Sequence, residues 1–206
     1  MRRRETIQLA LLAGAAVVVQ AALLLGSWED GSFAIDFEQT LGPAAEAIAA
    51  GESPYPAYGY PPLVAFALAP LTLLPGPSVL LAAALALCVP VSLLLLGVRD
   101  PRCHATAFLW APVYSAIQTG NVTLVLLVGV AAAWRYRDTA RRAAVAGGLA
   151  VAAKLLCWPI GLFLAATRRF AAALGVAAVA LGVTLGLWAL LGFDGLRGYP
   201  SSLRGL

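Results

Sequence analysis

The sequence predicts an all-α polytopic membrane protein with about seven transmembrane or half-membrane helices and further helices in its first external loop. Hydrophobic residues make up 61% of the 206 residues and charged residues only 12%, whereas soluble domains carry about a quarter charged residues. The apolar runs 7–25, 79–98 and 170–191 approach the roughly 20 residues that cross a bilayer core of about 30 Å. We therefore expect 1–206 to form a single helical membrane domain.

The first element is an apolar run of residues 6–26 behind three arginines. This basic start is typical of a signal peptide, but the run is closer to about 20 than to about 10 residues, and no A-x-A cleavage site follows it. We predict an uncleaved signal anchor.

The charges between the runs predict the orientation. Segment 27–60 carries six acids, within an external loop 27–76 that we expect to hold juxtamembrane helices. Basic clusters remain on the cytoplasmic side of membrane proteins. The N-terminus is therefore predicted to be cytoplasmic, in a multi-pass protein of the plasma membrane. The four basic clusters are Arg2 to Arg4, Arg99 with Arg102, Arg135 to Arg142, and Arg168 with Arg169.

The middle of the chain is predicted from its proline and polar breaks. "LPGP" separates 61–75, a re-entrant or juxtamembrane helix, from the spanning run 77–98. Residues 104–117 then lead outward, a polar turn follows at 118–121, and 121–134 returns.

Segment 143–167 has basic residues at both ends, so we expect it to break in the middle. Pro159 removes a backbone donor and clashes with the preceding turn. Two half-helices would meet near Lys154, at the floor of an outward-facing cavity, because 12 helical residues cover only about 18 Å. The alternative is one kinked helix that places Arg168 and Arg169 outside.

Several classes of function are disfavoured. The net charge of +4 comes from short arginine clusters, and no basic stripe with interleaved aromatics suggests nucleic acid. Three cysteines without a CxxC spacing, together with the single His104, do not form a zinc site or a disulfide framework. The same histidine lies in a basic cluster, which argues against Ser-His-Asp catalysis. We expect no cofactor and no metal.

Lys154 is the only lysine and lies in an apolar segment. A charge there costs about 2.5–3.5 kcal/mol on insertion scales, so such a residue is a functional candidate by default. We expect it to bind an anion; the alternative is a lysine that extends to the membrane surface from a helix end.

Asp36 lies between aromatic and aliphatic residues in "FAIDF". An acid held against aromatics at a membrane surface is a candidate general base, and Glu38 is the second candidate. A helix N-cap is the other interpretation, because "DFEQ" places a glutamine three residues after the aspartate.

Polar and aromatic residues outside the runs complete the candidate set. Tyr55 and Tyr60 lie among prolines in "SPYPAYGYPP", where they could stack on a sugar or anchor at the interface. Gln118 and Asn121, in the polar turn, could bind substrate or cap helices.

The order of these features resembles glycosyltransferase family 87, the C-type polyprenol-phosphate-mannose-dependent mannosyltransferases. "DFEQTLGPAAEAIAAGESPY" is similar to the family's Asp-Phe, helix and Gly-x-x-Pro-Tyr, and "YPPLVAFALAPLTLLP" to its Tyr-Pro-Pro-Leu helix. "QTGNVTLVLL" resembles its Gly-Gln-x-Asn turn with the glycine displaced. "AVAGGLAVAAKLLCWPIGLFLAATRRF" resembles its Ala-Gly-x-x-x-Gly, Lys, Pro and Arg-Arg sequence.

The resemblance implies a C-type glycosyltransferase module. Such enzymes transfer a sugar from a polyprenyl phosphate donor to a lipid or glycan acceptor hydroxyl on the outer face, with inversion. Mannose is the sugar expected here, and arabinose or another sugar is the alternative. It implies that Asp36 acts as base, that Lys154 meets the phosphate, and that both open into a common external pocket.

Members of this family usually continue past the seventh helix, so we expect the chain to be truncated, with a second chain possible as the source of further helices. A small-solute transporter and a non-catalytic subunit that binds carrier lipid remain alternatives.

Overall fold

The computed structural model describes residues 3–193 and Leu196, and all regular secondary structure in them is helical. The predicted all-α class is therefore confirmed for this part of the chain. A π-helical turn, Phe37–Leu41, precedes α2, and a 3-10 turn, Leu155–Cys157, precedes α9. In chain order the α-helices are α1 (Arg3–Glu29), α2 (Gly42–Ala49), α3 (Pro62–Thr72), α4 (Pro77–Leu95), α5 (Pro101–Ala107), α6 (Ala111–Thr119), α7 (Thr123–Arg135), α8 (Ala140–Ala153), α9 (Pro159–Ala166) and α10 (Phe170–Leu190).

Within the described residues, three helices, α1, α4 and α10, are long and apolar enough to cross a membrane. Their large side chains are mostly exposed; only 6% of the most apolar window of α1 is buried. Exposed leucine and valine over this length are stable against lipid and costly against water. The predicted membrane residence is thus supported by length, composition and surface together. Helices α3 and α7 and the segment Leu155–Ala166 are shorter apolar helices.

The chain divides into two compact units. Unit 1 contains Met1–Phe37 and Ser78–Val128, and unit 2 contains Glu38–Pro77 and Gly129–Leu206.

In unit 1, α1 packs on α5 and α6. The amide of Gln20 donates a 2.7 Å hydrogen bond to the carbonyl of Phe108, which lies just after α5. The block 104–117, expected as one crossing, is instead two short helices. Pro112 accounts for the new start at Ala111, because a proline fits the first turn of a helix and breaks its interior.

The start of α5 is capped by Asp100, whose carboxylate accepts a hydrogen bond from the backbone N–H of Arg102. The same carboxylate pairs with the Arg102 guanidinium at 2.6 Å. These hydrogen bonds lower the pKa of Asp100 to about 2, so this end of α5 carries a fixed ion pair at neutral pH.

Unit 2 is built on the close packing of α8 against α10. A Cβ added at Gly148 would lie 2.5 Å from the Cβ of Val179, and one added at Gly175 would lie 2.5 Å from the Cβ of Ala144. Small residues at such positions let two membrane helices approach closely. Around this crossing the buried core contains Ala133, Ala143, Val151, Ile160, Leu164, Ala172, Val176 and Ala180.

Two sequence predictions in unit 2 are confirmed. The segment before "LPGP" forms its own helix, α3, and ends before Pro77; its re-entrant placement stays a prediction. The basic-flanked segment 143–167 breaks at Lys154 into α8 and α9 rather than continuing as one kinked helix. Pro159, at the first position of α9, starts the second half-helix.

Candidate active-site residues

The chain turns back directly after α1 and brings Asp36 to the end of α6. The N–H groups of Ser32 and Phe33 donate to the carbonyl of Ser27 at 2.8 and 2.9 Å. Ala34 then adopts a left-handed φ of 55°, and its N–H donates to the carbonyl of Gln118 at 2.7 Å. This backbone bond ties the segment that carries Asp36 to the polar turn at 118–121 within unit 1.

The carboxylate of Asp36 accepts a 2.7 Å hydrogen bond from the side-chain amide of Asn121. The amide oxygen of Asn121 in turn accepts from the backbone N–H of Thr123 at 3.0 Å and from its hydroxyl. Asn121 therefore caps α7 and orients Asp36 at the same time. Asp36 is half-buried, whereas its neighbour Phe37 is almost completely buried. The packing of Phe37 therefore fixes the backbone next to the acid.

Gly120 makes this arrangement possible, and sequence reasoning did not single it out. It ends α6 with a left-handed φ of 72°, and a Cβ there would lie 3.0 Å from the Cβ of Phe37. A side chain at this position would meet both backbone strain and a crowded neighbour. The glycine inside "QTGN" was the available signal.

The structure excludes one of the two interpretations of Asp36. Ile35 and Asp36, which precede the π-helical turn, are themselves helical. The N-cap interpretation of Asp36 is therefore wrong, because a cap residue lies before the first helical residue. Its catalytic role stays a prediction. Glu38, the second candidate, is exposed.

Lys154 terminates α8 in unit 2. Its backbone is extended, with φ −150° and ψ 116°, and its N–H still donates to Ala150 at 3.0 Å. The side chain is half-buried, and its ammonium lies 5.3 Å from the centroid of the Tyr60 ring, within the range of a cation–π contact. Among the described residues of unit 2, no carboxylate pairs with this ammonium.

Tyr60 belongs to a cluster of aromatic residues in unit 2. The Tyr55 hydroxyl donates to the carbonyl of Tyr60 at 2.8 Å, and its ring stacks on Trp188 with 4.4 Å between centroids. The ring of Tyr58 contacts both tyrosines, with its centroid 5.8 Å from that of Tyr55 and 5.7 Å from that of Tyr60. Trp188, on α10, was not among the sequence candidates, because nothing in its local sequence distinguishes it from an interface anchor.

An apolar groove of about 570 Å³ begins beside this cluster. Pro61 follows Tyr60, and Leu155 follows Lys154, and both line the groove. Three of its lining residues are alanines of α10, Ala173, Ala177 and Ala180, spaced to share one helical face. Apart from Thr184, the groove is lined by apolar residues and glycine. It therefore suits a hydrocarbon chain.

The candidate residues thus form two groups. Asp36, Gln118 and Asn121 lie together in unit 1, and Lys154, Tyr55 and Tyr60 lie together in unit 2. Within the described residues, no group of three or more His, Cys, Asp or Glu side chains is placed to hold a metal ion.

Comparison with known families decides the class. The family model of glycosyltransferase family 87 matches residues 58–206, well over half of the chain. The chain belongs to glycosyltransferase family 87. Comparison with curated proteins and with solved structures finds no match to it.

Membership of family 87 makes this chain a membrane glycosyltransferase, which uses a sugar donor and an acceptor substrate. The matched region includes Lys154, Tyr60 and the polar turn with Asn121, whereas Asp36 and Tyr55 precede it.

Proposed function

We propose that this family 87 protein transfers a sugar, mannose in our assignment, from a polyprenyl-phosphate donor to a hydroxyl of a lipid or glycan acceptor. The observation that carries the proposal is Lys154: a half-buried ammonium without a carboxylate partner in the described part of its unit, directly before Leu155, which lines an apolar groove. A polyprenyl phosphate has the matching chemistry, with an anion at one end and a long hydrocarbon at the other.

In the proposed reaction the acceptor hydroxyl attacks the anomeric carbon with inversion. Its proton passes to the Asp36 carboxylate, and the bond between the anomeric carbon and the phosphate oxygen breaks. The electron pair leaves with the polyprenyl phosphate. Lys154 stabilises the negative charge that grows on this phosphate, which is the electrostatic contribution expected of a fixed cation at a leaving group. The Asn121 amide orients the base.

Tyr55, Tyr60 and Gln118 are proposed to contact substrate. Tyrosine rings can stack on a sugar ring while their hydroxyls hydrogen-bond. We further propose that the N-terminus is cytoplasmic and that the reaction occurs on the outer face of the plasma membrane, as the charges between the apolar runs predict.

The first experiment tests the donor site. Mass spectrometry of lipids that co-purify with the protein should detect a polyprenyl phosphate. Lys154→Met should reduce its amount by about 10- to 100-fold, because a hydrogen bond to a charged group contributes about 1.5–3 kcal/mol. Lys154→Arg should retain more of it. Equal lipid content in wild type and Lys154→Met would contradict the proposal.

A pair of neighbouring alanines on α10 provides a control for the groove. Ala177 lines it, whereas the adjacent Ala178 is exposed and does not. Ala177→Phe should fill the groove and reduce bound lipid, and Ala178→Phe should leave it unchanged. If both variants retain the same lipid, the hydrocarbon chain does not lie here.

The second experiment tests the base. In a lipid-linked sugar transfer assay, Asp36→Asn should lower kcat by about 10²- to 10⁴-fold while donor binding persists. Glu38→Gln, which removes the same charge two residues away, should retain activity. Full activity of Asp36→Asn would remove the base from the mechanism. Bound polyprenyl phosphate without any turnover in wild type would instead indicate a non-catalytic lipid-binding subunit.

A further inference from the structure

Unit 2 carries a second charged feature at the opposite end of α8 from Lys154. Six arginines and one aspartate are present where α7 and α9 end and where α8 and α10 begin. With 14 residues at about 1.5 Å each, α8 separates this end from Lys154 by about 21 Å. The six are Arg135, Arg137, Arg141, Arg142, Arg168 and Arg169.

The single acid of this group is already paired. Asp138 accepts hydrogen bonds from the Arg169 guanidinium at 2.7 and 2.9 Å, and Arg137 lies 4.0 Å from it. The Arg169 guanidinium lowers the pKa of Asp138, so the acid remains ionised in this pair at neutral pH. This ion pair joins the two loops and leaves the other arginines without a carboxylate partner in the described part of unit 2.

Two of those arginines border a cavity of about 490 Å³ between α7 and α8. Arg142 lies over the ring of Tyr136, 5.3 Å from its centroid, and Arg141 lines the same cavity. Stacking holds a guanidinium in one plane, and the N–H groups at its edge can then bind a phosphate bidentately. The remaining lining is apolar: Ala132, Val145 and Ala146.

We propose that this cavity binds the headgroup of an anionic membrane phospholipid. Arg141 and Arg142 contact the phosphate, Tyr136 fixes the guanidinium, and the acyl chains begin over the small apolar residues of α7 and α8. Positive pockets between helices at a membrane surface have the chemistry to hold anionic lipid headgroups. The site is separate from Lys154 and independent of the proposed transfer reaction.

The test is native mass spectrometry of the purified full chain with phosphatidylglycerol or phosphatidylcholine at equal concentration. Wild type should bind phosphatidylglycerol more tightly by about tenfold, and Arg141→Gln with Arg142→Gln should lose this preference. The charge-matched control, Arg4→Gln with Arg99→Gln in unit 1, should keep it. Equal binding of both lipids by wild type, or an unchanged preference in the first double variant, would overturn the proposal.

Two further measurements test the geometry and the class of ligand. Tyr136→Leu keeps every charge but removes the stacking partner, so it should weaken phosphatidylglycerol binding. Unchanged phosphatidylglycerol binding by Tyr136→Leu would refute the proposed role of the ring. Glycerol 3-phosphate provides the same anion without acyl chains and should fail to displace the lipid at equal concentration. Displacement would show a site for free phosphate and would overturn the lipid assignment.

Discussion

At the scale of single residues, Asn121 has the most informative surroundings. Its amide group donates to Asp36, and its oxygen accepts from the first turn of α7. The sequence suggested either helix capping or substrate contact for this residue. Capping is confirmed, the contact with Asp36 was not foreseen, and substrate contact stays a prediction.

The two roles of Asn121 can be separated by substitution. Serine can accept the same backbone hydrogen bond as asparagine but lacks the amide N–H group that binds Asp36. We expect Asn121→Ser to retain the thermal stability of the protein and to lower kcat by about 10- to 100-fold, because a misplaced catalytic group costs about this much. Asn121→Ala should lower both quantities. The measurement is initial rate against donor concentration, together with a melting curve.

An unchanged kcat in Asn121→Ser would show that the residue serves only to cap α7. The reason that sequence reasoning missed its contact with Asp36 is separation along the chain. The two residues are 85 positions apart, so only tertiary packing brings them together, whereas the lone lysine in an apolar run was evident from local sequence.

At the scale of helices, local signals predicted breaks well and close packing poorly. Pro159 and the basic residues at both ends of 143–167 predicted the break at Lys154, because proline acts within its own turn. Pro112 should have predicted the new start of α6 in the same way. The closest contact between α8 and α10 was not predicted, because Gly148 and Gly175 are two among 20 glycines in an Ala-rich chain.

This crossing gives a prediction with a matched control on α10. A Cβ at Gly148 would lie 2.5 and 2.6 Å from atoms of Val179, whereas one at Gly182 would meet nothing within 4 Å. Gly148→Ala should destabilise the fold by about 1–3 kcal/mol through overpacking. Gly182→Ala should be neutral or slightly stabilising, because alanine favours a helix over glycine by up to about 1 kcal/mol.

The measurement is the apparent Tm of each purified variant in the same detergent at one scan rate. If Gly148→Ala melts at or above the temperature of Gly182→Ala, the α8 and α10 helices do not pack as closely as described.

At the scale of the whole molecule, the sequence predicts which loops share a side of the membrane. Four arginine clusters and a first loop with six acids are all accommodated by one orientation, with the N-terminus inside and residues 27–60 outside. Three helices in the described part of the chain have the length and apolarity to cross, but neither length nor apolarity determines direction. Orientation is therefore a separate, testable property of the chain.

The chain's own cysteines provide the probe. Cys103 is exposed and lies beside Arg99 and Arg102, so it should face the cytoplasm, whereas the exposed Ala57 should face outward. Cys88 and Cys157 are first replaced by alanine. In intact cells a membrane-impermeant maleimide should then label an Ala57→Cys, Cys103→Ser variant and should not label the background that keeps Cys103 alone. Permeabilised cells should be labelled in both cases.

Equal labelling of the two variants in intact cells would place residues 57 and 103 on one side. An even number of crossings would then separate them, and the four basic clusters could not all be cytoplasmic while residues 27–60 remain outside. Labelling of Cys103 alone would invert the whole assignment and place the proposed donor site on the cytoplasmic face. The direction of the chain thus decides which leaflet must supply the lipid-linked sugar.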